Sequence, residues 1–412
     1  MSAVSAPFVP PSGLRPVAGV LAVLFAGAFA AALNVTLMSP LVPAIARTFG
    51  ISEAAAGQLA TVTALAAGAI DFALAPLLDR RARSWWLRSQ FLLVIVGTIV
   101  CIVSPTFGVL LAARAFVGFG SGLIGATCLS ACADLFPPGN ERNRAISVVN
   151  AAFTTGAIIG LPIVTLVEQE FGWRAGFALL LPLGVLVLAG AGRLPNHVAP
   201  TDQTLGQLWV AGYRTVLASR RTLWLLATSM LSNGLWYAWI VYLRAMGEDL
   251  FAIASGVLTI VFLAGGVGEF AATAIAAPLV ARYGSLRVAQ IAMLVAAVDL
   301  VILGWVWTSD LALIPFAVVF SGCSTIVYVT MTIATLESLP EAPGAAMSLQ
   351  AAVFQLGGAI GIAFAGVMLT WLDDYVAVYR MLGIMLPLGA LFVWRASRIP
   401  APVSDAAPVS PH

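Results

Sequence analysis

The sequence predicts an all-α membrane protein: twelve transmembrane helices in two pseudo-symmetric six-helix bundles. Three observations carry this expectation. Of 412 residues, 61% are hydrophobic and only 9% charged, whereas a soluble domain carries about 25% charged residues; the mean hydropathy is +1.00. Apolar spans of roughly 20 residues recur along the whole chain, the length that crosses a hydrocarbon core of about 30 Å. Finally, the chain repeats itself at about half its length. Ala75-Pro76-Leu77-Leu78-Asp79-Arg80 returns 202 residues later as Ala277-Pro278-Leu279-Val280-Ala281-Arg282, with four of six positions matching. Gly156 and Gly160, after Phe153, likewise return as Gly357 and Gly361, after Phe354. Two parallel bundles related by a repeat are one of the arrangements by which secondary transporters are built.

The spans are expected at 17–45, 54–78, 85–103, 106–135, 144–167, 172–192, 222–246, 252–280, 285–307, 311–339, 344–371 and 377–397. In lipid every backbone amide must bond internally, so each span is a helix. The 38 glycines fit close helix approach rather than helix breaking. The first span has Arg15 before it, and Ala30-Ala31-Ala32 has the look of a cleavage site. The apolar pattern nevertheless continues through Met38 to Ile45, so a retained helix is expected. Asn34-Val35-Thr36 spells a glycosylation acceptor but lies inside that helix. The chain then divides into a tail (1–16), a first bundle (17–192), a linker (193–221), a second bundle (222–397) and a tail (398–412). In the linker Leu205, Leu208, Trp209, Gly212, Tyr213 and Val216 fall at helical spacing, an amphipathic helix expected on the inner leaflet.

All 20 basic residues are Arg. With the N-terminus cytoplasmic, fifteen fall inside. Arg47, Arg174, Arg244 and Arg380 fall outside, and Arg114 lies within the membrane. This asymmetry puts both termini in the cytoplasm of a cell whose inner (plasma) membrane the chain spans. The arginines are spread over short loops, so the net charge of +2 implies no nucleic-acid partner. The expected partners are a small-molecule substrate, protons and the lipid bilayer, with the chain acting as a monomer. His197 and His412 are the only histidines, which excludes a His-based triad or a zinc site. Cys101, Cys128, Cys132 and Cys323 read as small buried membrane residues. No enzyme activity, metal or cofactor is expected.

Several stretches join these patterns. Ala75-x-Leu77-x-Asp79-Arg80-x-Ala82-Arg83 resembles the signature loop of the major facilitator superfamily, Gly-x-Leu-x-Asp-Arg-x-Gly-Arg-Arg. Ala stands at both glycines and Ser84 at the last basic position. Arg114-Ala115-Phe116-Val117-Gly118 resembles its Arg-containing fourth-helix motif. Gly156-x-x-x-Gly160-x-Pro162 resembles the fifth-helix antiporter motif of drug:proton antiporters, with the Pro one place later. Phe171-Gly172-Trp173-Arg174-x-x-Phe177 is similar to the turn before the sixth helix in sugar- and drug-efflux members. The resemblance covers essentially the whole chain and implies the major facilitator fold. It further implies that spans one, four, seven and ten line a central cavity. In the family, the loop acid and Arg, with an acid at the end of the fourth helix, stabilise the outward-facing state.

The candidate residues follow. Asp79 and Arg83 stand i, i+4 at a cytoplasmic helix end, and Asp134 closes span four on the same side. Such a carboxylate–guanidinium–carboxylate cluster can latch the inner ends, or it only anchors topology. Gly156, Gly160 and Pro162 thin and bend span five, or simply pack it. Asp71, Arg114, Glu269 and Asp299 lie well inside spans, where a charge costs at least about 2.5–3.5 kcal/mol. Asp71 is about 12 Å into the membrane at 1.5 Å per residue from Asp79, and Arg114 is at similar depth. Arg114 therefore pairs with Asp71 or with a substrate anion. Asp71 and Glu269 are the expected proton-coupling acids, while Asp299, in peripheral span nine, is a structural acid. Asn233, Trp236, Tyr237 and Ile240 share a face of span seven. Asn34, Met38, Asn150, Asn233, Trp236, Tyr237, Tyr328 and Gln355 are the substrate-binding candidates. Tyr242 reads as part of an aromatic belt at the outer interface.

The expected function is secondary active transport by alternating access: proton-coupled efflux of small amphipathic or sugar-like compounds. The alternatives are proton-coupled uptake of a small solute, anionic in one version, and a membrane receptor that kept the fold.

Overall fold

The computed structural model describes residues 14–74, 77–78, 81–136, 140–194, 204–251, 255–303, 313–338 and 343–400, and their regular structure is helical throughout. The first span is two helices, α1 (Leu14–Thr36) and α2 (Met38–Phe49). Leu37 parts them, because Pro40 has no N–H for the Thr36 carbonyl and crowds the preceding turn. Gly50, with φ +63°, ends α2 in the left-handed conformation that suits a residue without Cβ. Next come α3 (Glu53–Leu74), α4 (Arg83–Val103), and α5 (Phe107–Ser121) with α6 (Ile124–Leu135). α7 (Asn140–Phe171) and the pair α8 (Trp173–Ala178) and α9 (Leu180–Gly190) complete the first bundle. α10 (Leu205–Ala218) follows, capped by Thr204 and Gln207 bonding each other's backbone amides. The second bundle holds α11 (Arg220–Phe251), α12 (Ser255–Tyr283), α13 (Ser285–Ile302), α14 (Leu313–Ser338), α15 (Pro343–Leu372) and α16 (Tyr375–Ser397).

Among the described residues, nine stretches are long and apolar enough to cross a membrane. α7, α11 and α12, at 32, 32 and 29 residues, also exceed the roughly 20 that a crossing needs. α7 outruns its expected span because its ends carry charge: Glu141 and Arg144 lie near its start and Glu170 near its end.

The repeat is visible in the packing. α1 lies on α7 as α11 lies on α15, and α3 lies on α5 as α12 lies on α14. The repeated glycines make the first of these contacts close. Gly156 faces Phe29 and Ala32 of α1, and Gly160 faces Leu33. Gly357 faces Met230 of α11, and Gly361 faces Gly234. The two bundles meet where α3 packs on α15, α7 on α12 and α2 on α11.

The ends differ. The near end is where α1 begins, and the far end lies across the membrane. Toward the far end one apolar core joins both bundles, with Leu37, Leu41 and Ile45 packed together with Leu235, Trp239 and Met246. Toward the near end the cores are separate, one around Leu24 and Phe91 and the other around Met293 and Met331. A small cluster around Tyr213 bridges them. The molecule is closed at its far end.

A Cβ on Gly361 would lie 2.0 Å from the Gly234 carbonyl oxygen, with backbone on both sides and no flexible atom to yield. Gly361→Ala should therefore destabilise the protein by about 1–3 kcal/mol, as overpacking does, seen as a lower Tm in detergent. Gly108→Ala, whose Cβ meets nothing within 4 Å, should leave Tm unchanged.

Candidate functional site

Arg114 is 1% exposed. Gly118 and Gly122, one and two turns further on, press α5 against α3; a Cβ on Gly118 would fall 2.4 Å from the Thr63 carbonyl. The Thr63 hydroxyl is shared between the Leu59 carbonyl of its own helix at 2.7 Å and the Arg114 carbonyl at 3.1 Å, which marks the level of this crossing. The guanidinium reaches across to the loosened turn of α1. Its Nη1 donates to Asn34 Oδ1 at 2.8 Å and Nη2 to the Asn34 carbonyl at 3.3 Å. The Phe177 ring lies 5.5 Å from its Cζ, while Nε has no acceptor. No carboxylate pairs with Arg114 among the described residues. Asp71, the expected partner, lies eight residues beyond Thr63 on α3, about 12 Å nearer the near end. The sequence placed the depths of Asp71 and Arg114 from loop ends, and the level of the α3–α5 crossing was not readable there.

Arg114, Asn34, Thr63, Ser121, Tyr237 and Gln355 surround a cavity of about 20 Å³ between the bundles. The Tyr237 hydroxyl donates to Gln355 Oε1 at 2.7 Å. A second cavity of about 20 Å³ is lined by Thr36 and Leu161 from the first bundle and by Trp236, Trp239, Phe262, Glu269 and Ser321 from the second. Each has room for one water. Trp236 Nε1 donates to Glu269 Oε1 at 3.2 Å. Trp239 is fully buried against Phe320 and Tyr379, with ring centroids 5.0 and 5.1 Å away, and its Nε1 has no acceptor. Trp236 and Tyr237, adjacent in sequence, point about 100° apart around α11 and so serve different cavities.

Asp71 is 3% exposed, with no ion pair or hydrogen bond among the described residues. Among the described residues, the ionisable groups within its electrostatic reach are Tyr237 and Tyr213. Tyr213, on α10, stacks on Phe72 with centroids 5.0 Å apart and planes 13° apart. Its hydroxyl donates to the Phe72 carbonyl at 3.0 Å. Burial, and secondarily the Asp71 carboxylate, pushes Tyr213 up to about 12, so it remains a donor near neutral pH. The face expected on the leaflet thus turns Tyr213 and Val216 onto Leu226 and Leu349 of the second bundle.

The remaining candidates are more scattered. Arg83 Nε pairs with Asp134 Oδ2 at 2.7 Å, and Arg83 Nη1 donates to the Leu78 carbonyl at 2.7 Å; Asp79 lies outside the described residues. Met38 is buried in the far-end core. Asn233 Nδ2 donates to the Phe354 carbonyl, tying α11 to α15. Tyr328 is 49% exposed and meets Phe354 edge-on, and Asn150 is exposed on α7. None of these four lines either cavity. Pro162 is accommodated within a continuous α7. Asp299 is buried on α13, with Oδ2 lacking a donor.

One group of residues was missed by sequence reasoning. Arg244, expected in an outer loop, is buried and pairs through Nη1 with Glu168 Oε2 at 2.6 Å. It also donates to the Pro40 carbonyl. The ion pair joins α11 to α7 and to the loosened turn of α2. Tyr375 donates to Glu53, and Tyr242, expected in a lipid-facing belt, is buried against Gly57 of α3. The far end is closed by protein against protein, which leaves Tyr242 no interface to face. The available signal was that Glu168 and Arg244 are opposite charges near the far ends of spans five and seven.

The Major Facilitator Superfamily model matches residues 24–342 of the chain. Over 339 residues the chain is 26% identical to the purine ribonucleoside efflux pump NepI of Escherichia coli, covering 81% of this chain and 82% of that protein. Over 162 residues it is 29% identical to the multidrug resistance protein Stp of Mycobacterium tuberculosis; this covers 39% of the chain and 30% of Stp. The chain thus spans under a third of Stp. A solved bacterial homologue of the human lysosomal transporter Spinster has a similar fold, with TM-score 0.71 at 15% identity, covering 94% of this chain and 98% of that one.

Removing one member of the far-end pair leaves the other charge buried. Glu168→Ala should destabilise the protein by about 3–5 kcal/mol, whereas Glu168→Leu with Arg244→Met should recover most of that loss. Denaturation of the single and double variants measures both effects.

Proposed function

The chain belongs to the Major Facilitator Superfamily, and from that premise we propose that this secondary transporter exports small amphipathic or sugar-like compounds in exchange for protons. The observation that carries the reading is a pair of acids at the bundle contact, Asp71 buried and Glu269 half-buried, with no cationic partner among the described residues. An acid so placed changes its charge only by giving or taking a proton, and that is the step coupling requires. The efflux activities named for NepI and Stp support the direction.

The near end is cytoplasmic, as the fifteen-to-four distribution of arginines requires, and one chain is the working unit. Residues 17–192 and 222–397 move as the two bodies, with 193–221 between them. With the far end closed, the bundles part further at the near end and solute enters from the cytoplasm between α1 and α11. Asn34, Tyr237, Gln355 and Trp236 contact it, and Met38, Asn150, Asn233 and Tyr328 join as the bundles shift. Gly156, Gly160 and Pro162 let α7 bend during that shift. Asp79, Arg83 and Asp134 latch the cytoplasmic ends once the far end opens. The proton on Glu269 leaves as solute binds, and another taken from outside resets the cycle. The unanswered charge of Arg114 favours a second reading, in which the solute carries an anionic group and is imported.

In proteoliposomes with an imposed pH gradient, Asp71→Asn and Glu269→Gln should each lower gradient-driven flux of a purine ribonucleoside or lipophilic drug by about tenfold or more. Gradient-free exchange should survive. Uphill transport at wild-type rate in both variants, across about pH 6 to 8, would place the proton sites elsewhere.

A further inference from the structure

Phe72 lies near the end of α3, one residue beyond Asp71. A donor from outside the bundle reaches its carbonyl: the Tyr213 hydroxyl, 3.0 Å from the Phe72 oxygen. Tyr213 stacks its ring on the Phe72 ring at the same point, one residue from Asp71. α10 is anchored on its other side by Val216, packed with Leu226, Leu349 and Val353. The linker helix therefore rests on α3 of one bundle and on α11 and α15 of the other, over the one buried acid that lies closest to the near end of α3.

We propose that α10 is a lid on Asp71, with Tyr213 as the positioning residue. While Tyr213 caps the Phe72 carbonyl, Asp71 is shut off from near-end water, and when the bundles move apart at that end α10 loses one of its two footings, lifts, and opens the acid to cytoplasmic protons. Tyr237 of α11 is the other ionisable group facing Asp71 among the described residues; it lies on the cavity side and is not part of the lid. The inference rests on the reading of Asp71 as a proton-coupling acid. The access it describes is measurable without transport.

The test uses the full-length protein in nanodiscs. Hydrogen exchange across residues 66–74 should rise by about tenfold or more in Tyr213→Ala. Tyr213→Phe, which keeps the stacking and loses the cap, should show a smaller rise. In Asp71→Cys a water-soluble thiol reagent added from the near side should react slowly, and about tenfold faster with Tyr213→Ala added. In proteoliposomes without substrate, Tyr213→Ala should leak protons, and Asp71→Asn should abolish the leak. Unchanged exchange and thiol reactivity would overturn the lid. So would a leak that persists without Asp71, because a merely loosened bundle leaks regardless of that acid. If access rises as expected while Asp71→Asn alone leaves driven transport intact, the lid stands and the coupling role of Asp71 falls.

Discussion

A charge in hydrocarbon must be answered by an opposite charge, by hydrogen bonds or by a proton, and this requirement organises the molecule. The chain contains few charges, and the described ones buried at the bundle contact fall into two kinds. Arg244 and Glu168 answer each other across the contact and hold the far end shut. Arg114, Glu269 and Asp71 are answered only in part: by Asn34, by an indole N–H, or by no group among the described residues. The satisfied pair gives the structure a closed end. The unsatisfied groups line or flank the cavities below it.

The two bundles are copies in their packing and not in their chemistry. Glycines at matching positions bring α7 against α1 and α15 against α11, so the architecture is shared. The ionisable groups are not: Glu269 has no counterpart in α3, and Asp71 corresponds to Thr273 in α12. Among the described residues α3 takes a hydrogen bond from the linker helix at Phe72, and α12 continues through Pro278. Symmetric packing is thus combined with ionisable groups that the repeat does not duplicate.

How much of this was legible in the sequence depends on the range of the interaction. Helices and the internal repeat rest on local pattern, so all twelve spans and the roles of Gly156, Gly160, Gly357 and Gly361 as close-approach points could be read directly. The membrane cost of charge likewise singled out Arg114, Glu269 and Asp71. Partner choice was not legible. Arg114 turns to Asn34 because Gly118 sets the crossing of α5 and α3 at Thr63, a level fixed by tertiary packing. Arg244 and Tyr242 looked like outer-surface residues because sequence gives depth along a helix and not which face meets the other bundle. The linker face was read correctly as apolar, and its surface was misassigned: Tyr213 and Val216 cover protein, where lipid was expected.

The central claim is that the closed far end is one of two states between which the bundles rock. It is tested most directly by electron spin resonance distance measurements in lipid bilayers, with labels at Ser52, before α3, and Leu372, at the end of α15. Both positions are exposed at the far end, on helices that pack together across the bundle contact. The account expects two populations, a short distance matching the closed structure and a longer one that gains weight when Glu168→Ala breaks the far-end pair. A single short distance, unmoved by that substitution, would contradict it.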